Sequence, residues 1–357
     1  MRFGVFDHND ASGRPATQQL AERLALVEEY ERLGYYAYHM AEHHGTPLGI
    51  TPSPHLMLAA ASQRTSVIRL GTLISILPLH HPMRVIEEAC ALDQLTGGRL
   101  DLGVGRGISP IETSFHGVPG DQAQERFDEA FEILSMGLTL DTIDFHGKYY
   151  QIDSAPVVTS PLQQPLPLWY GARALDRARW CARLGMPMMA LVPSTAVRPL
   201  TDAYKAEWAA LGRPEPDLLP LGITRSVVVA DTNEEAMRIA NRAFTGVQGE
   251  LREPLAALRH AAPGRLPRGH LRGDPRDGHF YAGDVAGARD WVAHHRDVGG
   301  MNYIAIEFCF GDMPPAETLR SAELFATEVM ARVQRIATLS AGGGPLWLGV
   351  IVTTCGD

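Results

Sequence analysis

The sequence predicts an α/β fold, a (β/α)8 TIM barrel with insertions after the fourth and seventh units, and three observations carry the prediction. Short apolar runs rich in β-branched and aromatic residues alternate with longer segments of helical period, the pattern of parallel strands joined by crossover helices. Eight such units can be counted along the chain. Polar and glycine-rich clusters follow several of the strand-like runs, where barrel enzymes carry their active residues. An open doubly wound sheet shares the alternation; the count of eight favours closure.

The units run in order. Phe3 to Phe6 is a first strand. The helix after it, Thr17 to Leu33, places Leu20, Leu24, Val27 and Leu33 at helical spacing, and Gly34 stops it. Tyr35 to Met40 is the second strand, and Ser53 caps a helix that runs to Ser62. Ile68 to Leu77 is the third strand, followed by a helix from Pro82 to about Leu95, with proline in the first turn. Arg99 to Val104 is the fourth strand, and Gln122 to Leu140 its helix. Asp141 to Pro167, rich in proline and without helical period, reads as an inserted hairpin and loop. Strand Leu168 to Tyr170, helix Leu175 to Leu184, strand Met188 to Val192 and helix Thr195 to Leu211 follow. Strand Ile223 to Val229 and helix Asn233 to Phe244 lead into Gly246 to Gly283, a stretch rich in Gly, Pro, Arg and His that reads as a lid-like loop. Helix Ala286 to Val298, strand Tyr303 to Phe310 and helix Pro315 to Arg335 complete the pattern.

Composition narrows the class. The chain has 357 residues, 45% of them apolar and 20% charged, enough to bury one large core. One domain is expected over residues 1–335, with a Gly-rich tail over 336–357. A net charge of −9 argues against a nucleic-acid partner. The four cysteines form no CxxC pair, so metal binding by cysteine is not expected, and a reducing, cytoplasmic setting is. The opening MRFGVFDHND turns polar too early for a secretion signal, and no apolar run reaches the roughly 20 residues of a membrane span.

The strand-end rule then picks out the chemistry. Glu42-His43-His44 follows the second strand and offers acid–base groups that titrate near neutrality. Its adjacent histidines point in opposite directions on an extended chain, which disfavours a shared metal, and hydrogen bonding within the rim is the bland alternative. His80-His81 follows the third strand beside Pro82 and reads as loop or lid-side support. Gly103-Val-Gly-Arg-Gly107 follows the fourth strand. It lacks the spacing of a dinucleotide fingerprint and instead presents Arg106 to an anion, unless Arg106 pairs with Asp101. The helix after the fifth strand starts at Arg173-Ala174-Leu175, where free amides and the helix dipole suit a phosphate, and Arg173 and Arg177 add charge.

Taken in order, these pieces resemble the bacterial-luciferase-like flavin-dependent monooxygenases. The matching segments are Phe3 to Phe6, Ala41-Glu-His-His44, Leu70 to Pro78, His81-Pro82, Leu92 to Arg99, Gly103 to Gly107, Gly185-Met-Pro187 and Phe325 to Met330. The resemblance spans about residues 1–335. It implies that His43 is the catalytic base, with Glu42 and His44 on the same rim. It implies a non-proline cis peptide at Leu73–Ile74 beneath the flavin ring, an FMN phosphate gripped by Arg106 and by amides at Arg173 and Ala174, and Glu112 shaping the flavin site. No metal is implied. Reduced FMN would come from a separate flavin reductase, since no nicotinamide motif is present. Molecular oxygen and a small organic substrate complete the reaction, and a homodimer is expected.

Two positions depart from the family pattern. Gly105 stands where luciferases place a cysteine, which would leave more room, and Ala174 stands where a serine is common. Other readings are a deazaflavin-dependent oxidoreductase on the same barrel, a non-catalytic flavin-binding partner subunit, and light emission, against which Gly105 counts.

Overall fold

Strands buried on both faces must be apolar almost throughout, and the sequence supplies such runs. The computed structural model describes residues 1–190, 192, 194–243 and 280–333. It contains β1 (Arg2–Asp7), β2 (Ala37–Met40), β3 (Arg69–Ile76) and β4 (Leu100–Gly105). The later barrel strands are β7 (Leu168–Gly171), β8 (Met188–Ala190), β9 (Leu221–Val229) and β11 (Tyr303–Glu307). These eight pair in parallel in the order β1-β2-β3-β4-β7-β8-β9-β11, and the β1–β11 and β8–β9 ladders close the barrel. Closure settles the choice against an open sheet.

Helices cover the outside: α1 (Ala16–Arg32), α2 (Pro54–Ser62), α3 (Pro82–Thr96), the short α4 (Pro110–Phe115), α5 (Ala123–Gly137), α6 (Leu175–Leu184), α7 (Ser194–Ala210), α8 (residues 233–243), α9 (Val285–Gly299) and α10 (Pro315–Leu324). The first insertion is the antiparallel hairpin β5 (Thr142–His146) and β6 (Gln151–Pro156), as its turn-rich sequence predicts. Of the second insertion, residues 246–279 lie outside the described residues, as does the tail 336–357.

The structure differs from the sequence reading at several elements. The end of the supposed loop, Phe280–Gly283, is a further strand, β10, parallel to β9 from Phe280↔Ser226 to Gly283↔Val229. Four residues carry no readable period, but burial of Phe280 against Phe310 holds them. The last strand stops at Glu307; Phe308 leaves the ladder and packs its ring on Tyr35 and Phe325, so its apolar character reflects core packing. The closing helix is α-helical only to Leu324 and continues as a π-helical turn over Phe325–Met330. The six-residue α4 is too short to show a period in the sequence.

The glycines after the fourth strand have a packing cause. A Cβ at Gly103 would sit 2.2 Å from the Thr72 carbonyl oxygen, so only glycine lets β4 approach β3 where its register shifts between Thr72 and Ser75. Leu73–Ile74, the peptide that the resemblance singles out, is cis.

Inside the barrel, His39 is fully buried, with Nε2 2.7 Å from the Tyr303 hydroxyl and its ring 5.0 Å from that of Trp169. Burial, aided by the Arg69 charge, pushes its pKa down to about 3. His295, beside Ser194, is pushed down to about 2, again chiefly by burial. The unfolded chain takes up these protons below about pH 6.5, whereas the folded chain resists until far lower. The stability contributed by the neutral rings is therefore present above about 6.5 and lost as pH falls. Between pH 7 and pH 5 each buried ring should cost about 2 kcal/mol of unfolding free energy. Urea-unfolding midpoints at the two pH values test this: between pH 7 and pH 5, His39→Asn should lose about 2 kcal/mol less than the wild type, and an identical pH dependence in the two proteins would show that His39 is not a source.

Candidate active site

The C-terminal ends of the barrel strands form one rim, and the side chains on it converge from separate elements. Glu42, His43 and His44 leave the end of β2, and the two histidines do go different ways. His43 Nδ1 lies 2.9 Å from Oε1 of Glu112, which is buried on α4. A carboxylate only accepts, so Nδ1 carries the hydrogen and Nε2 keeps the lone pair. No described residue bonds that Nε2. Glu112 thus orients His43 directly, a contact made across 69 residues of chain.

Glu42 turns inward and is a hub. Its Oε1 accepts from His44 Nε2 at 2.7 Å and from His80 Nε2 at 2.6 Å, and its Oε2 accepts from the Ile76 N–H at 2.9 Å. Burial alone would push its carboxyl up, but the bonds from His44, His80 and Ile76 outweigh it and hold it at about 2. Burial opposes a charge on His80 too, yet the Glu42 carboxylate wins and raises it. His80 is therefore part of this cluster, not the lid-side loop residue its proline-flanked sequence suggests. His81 stands at the N-cap position of α3 without a side-chain cap bond and sets its ring edge-on to Tyr150, 5.9 Å away. Glu42, His44 and His80 put ligand-type atoms within 4.8 Å of one another, but Glu42 Oε1 already serves both rings.

The second cluster on the rim was not singled out in the sequence. His8, just past β1, holds Nδ1 2.5 Å from Oε1 of Glu307, the last residue of β11. Ser226 on β9 donates to Glu307 Oε2 at 2.6 Å. The His8 ring lies 5.3 Å from that of His43. Burial works against a charged His8, but Glu307 outweighs it and lifts the ring to about 9. Burial and Glu307 together lift Asp10 to about 7. The strand-end rule applied to Phe6-Asp7-His8, and a lone glutamate in the apolar run of β11, are the signals that would have found them.

On the opposite side lie the basic groups. Arg106 follows β4, is exposed, and makes no hydrogen bond or ion pair among the described residues. The alternative of pairing with Asp101 fails, because Asp101 is held by Arg69 at 2.7 Å. Arg173 is likewise exposed and unpaired among the described residues, whereas Arg177 is taken up by Asp128 at 3.3 Å and by the Trp180 ring. Ala174 is the N-cap of α6 with extended backbone and no side-chain cap, so the first-turn amides have no protein side chain to satisfy them. Between the two sides, Leu73 and Ile74 cap an apolar cluster with Phe6, Ala41 and Met189. The room expected at Gly105 is filled: a Cβ there would lie 2.2 Å from Ile74 Cδ1. Gly107 takes φ +81°, a left-handed turn that favours glycine and directs the chain away after Arg106.

The rim as a whole offers an oriented imidazole, an apolar floor and an edge with two exposed arginines beside a helix start that has no side-chain cap. The model of the luciferase-like monooxygenase family matches residues 1–300. The uncharacterized protein y4wF of Sinorhizobium fredii is 35% identical over 336 residues, 93% of this chain and 97% of that one. The oxygenase component of the flavin-dependent trigonelline monooxygenase of Acinetobacter baylyi is 29% identical over 68% of each chain. Among solved structures, the oxygenating constituent of 3,6-diketocamphane monooxygenase from Pseudomonas putida, in complex with FMN, shares the fold. Its TM-score is 0.74 at 18% identity, over 93% of this chain and 98% of that one. By the family match and the near full-length relative, the chain belongs to the luciferase-like monooxygenases, a family of flavin-dependent oxidoreductases.

Proposed function

We propose that this chain is the oxygenase of a two-component system that takes reduced FMN from a separate flavin reductase and oxygenates a small organic substrate. The observation that carries the reading is the unpaired Arg106 on the same rim as the Glu112-oriented His43. The residues fit FMN. Arg106, Arg173 and the uncapped start of α6 suit its phosphate, and the Leu73–Ile74 floor suits the face of its ring. The trigonelline relative is named as an oxygenase component, and the diketocamphane structure holds FMN; both support the choice of cofactor and of a reductase partner.

When bound, reduced FMN supplies two electrons and the atom at which oxygen is activated. The chain does the rest. His43 Nε2 accepts or returns a proton at the substrate, while Glu112 fixes the ring and stabilises it when protonated. Glu42 holds His44 and His80 in place beside it. Leu73, Ile74 and the apolar cluster below them keep water from the reacting face.

Anaerobic equilibrium binding tests the cofactor. The protein should bind reduced FMN more tightly than a reduced 5-deazaflavin cofactor of the F420 kind. The reverse preference would make it a hydride-transferring deazaflavin enzyme on the same barrel, and binding of neither would remove the flavin reading.

A further inference from the structure

We propose that His8, Asp10 and Glu307 form a binding site for one divalent first-row cation of the zinc or manganese kind, beside the flavin site. One ligand-type atom from each residue lies within 4.8 Å of the other two. Both carboxylates are buried, at 5% and 6% exposure, and the one basic side chain in direct contact with the pair among the described residues is His8.

The arrangement of the oxygens is what points to an ion. Each carboxylate has one oxygen tied back to the protein: Asp10 Oδ2 accepts from the Gly311 N–H at 3.1 Å, and Glu307 Oε2 accepts from Ser226 Oγ at 2.6 Å. Such outer contacts fix the direction of a ligating carboxylate. Of the remaining two oxygens, Glu307 Oε1 is hydrogen-bonded to His8 Nδ1 at 2.5 Å, through a proton that an incoming ion would replace, and Asp10 Oδ1 is buried with no hydrogen-bond partner at all. Among the described residues no arginine or lysine fills the gap. Arg23 pairs with Asp7 at 3.4 Å, and among the described residues no lysine or arginine comes within 4.0 Å of Asp10 or Glu307. One imidazole nitrogen and two carboxylate oxygens make a donor set for Zn²⁺ or Mn²⁺, with zinc the tighter binder. The His8 side chain is 26% exposed, which leaves a way in from the rim. The Glu42, His44 and His80 cluster has no such unpartnered oxygen: both oxygens of Glu42 already accept hydrogen bonds.

The inference does not depend on the identity of the flavin. Tag-free protein, stripped with EDTA and desalted, is titrated with Zn²⁺ by calorimetry and with Mn²⁺ by electron paramagnetic resonance. We expect one ion per chain and competition between the two metals. Asp10→Asn keeps an acceptor for Gly311, so the fold survives, and should weaken binding at least about tenfold; Glu307→Gln should do the same. His80→Gln, which breaks only the other cluster, should leave binding within about twofold. Zinc should also raise the unfolding temperature of the wild type and not of Asp10→Asn. No stoichiometric binding by the wild type, binding unchanged in Asp10→Asn, or binding lost in His80→Gln but kept in Asp10→Asn would each overturn the site.

Discussion

His43→Ala will lower oxygenation by about 10²–10⁴-fold while leaving reduced FMN bound within about twofold, the range spanned by losing one positioned acid–base group. The asymmetry follows from where the ring sits. Its Nδ1 is spent on Glu112 at 2.9 Å, and Glu112 is fixed in α4, so the ring is presented with its Nε2 unbonded among the described residues. The edge proposed to bind phosphate, Arg106 and the start of α6, lies on other elements, after β4 and β7. Glu112→Gln can still accept from Nδ1 but no longer stabilises a protonated ring, so it should cost less, about tenfold. The measurement is product formed per reduced FMN consumed, with any substrate the wild type oxygenates, alongside anaerobic FMN binding. If His43→Ala turned over normally, the proton would have to be handled elsewhere on the rim, and His8, 5.3 Å away, would be the next residue to replace.

The sequence carried the barrel because eight apolar runs alternate with helical periods, a signal that local chemistry writes directly. The same rule placed Glu42, His43, His44 and Arg106 on one rim, since each follows a strand. What it could not reach were contacts that close over long separations. Glu112 meets His43 across 69 residues through a helix too short to show a period, and His8 meets Glu307 across 299. The glycines at 103–107 illustrate a different limit. Read along the chain they suggest a phosphate loop; in the fold, Gly103 and Gly105 make room for Thr72 and Ile74 on the neighbouring strand, and Arg106 alone faces outward. A glycine's cause lies in its neighbour across the sheet, which composition does not disclose. The His80 contact to Glu42 was hidden for the same reason, its flanking proline masking an inward-facing ring.

Arg106→Ala should weaken FMN by about 10–100-fold and riboflavin hardly at all. A charge-assisted hydrogen bond to phosphate contributes about 1.5–3 kcal/mol, and each 1.4 kcal/mol is a factor of ten. The loss should come near the upper end because nothing in the described structure competes for this guanidinium: Asp101, the one carboxylate on its own strand, is held by Arg69 at 2.7 Å. Arg106→Lys should recover only part of the affinity, since an ammonium keeps the charge but not the paired donors that match two phosphate oxygens. Arg173→Ala should cost less than Arg106→Ala, because the uncapped amides of α6 remain to share the anion. Riboflavin separates the two halves of the proposed site: it keeps the ring, for which Leu73 and Ile74 are the proposed floor, and lacks the phosphate. Equal weakening of FMN and riboflavin would mean that Arg106 acts on the ring or on the fold of the β4 turn. A selective loss of FMN would place the phosphate at this edge, on the same rim as the Glu112-oriented His43.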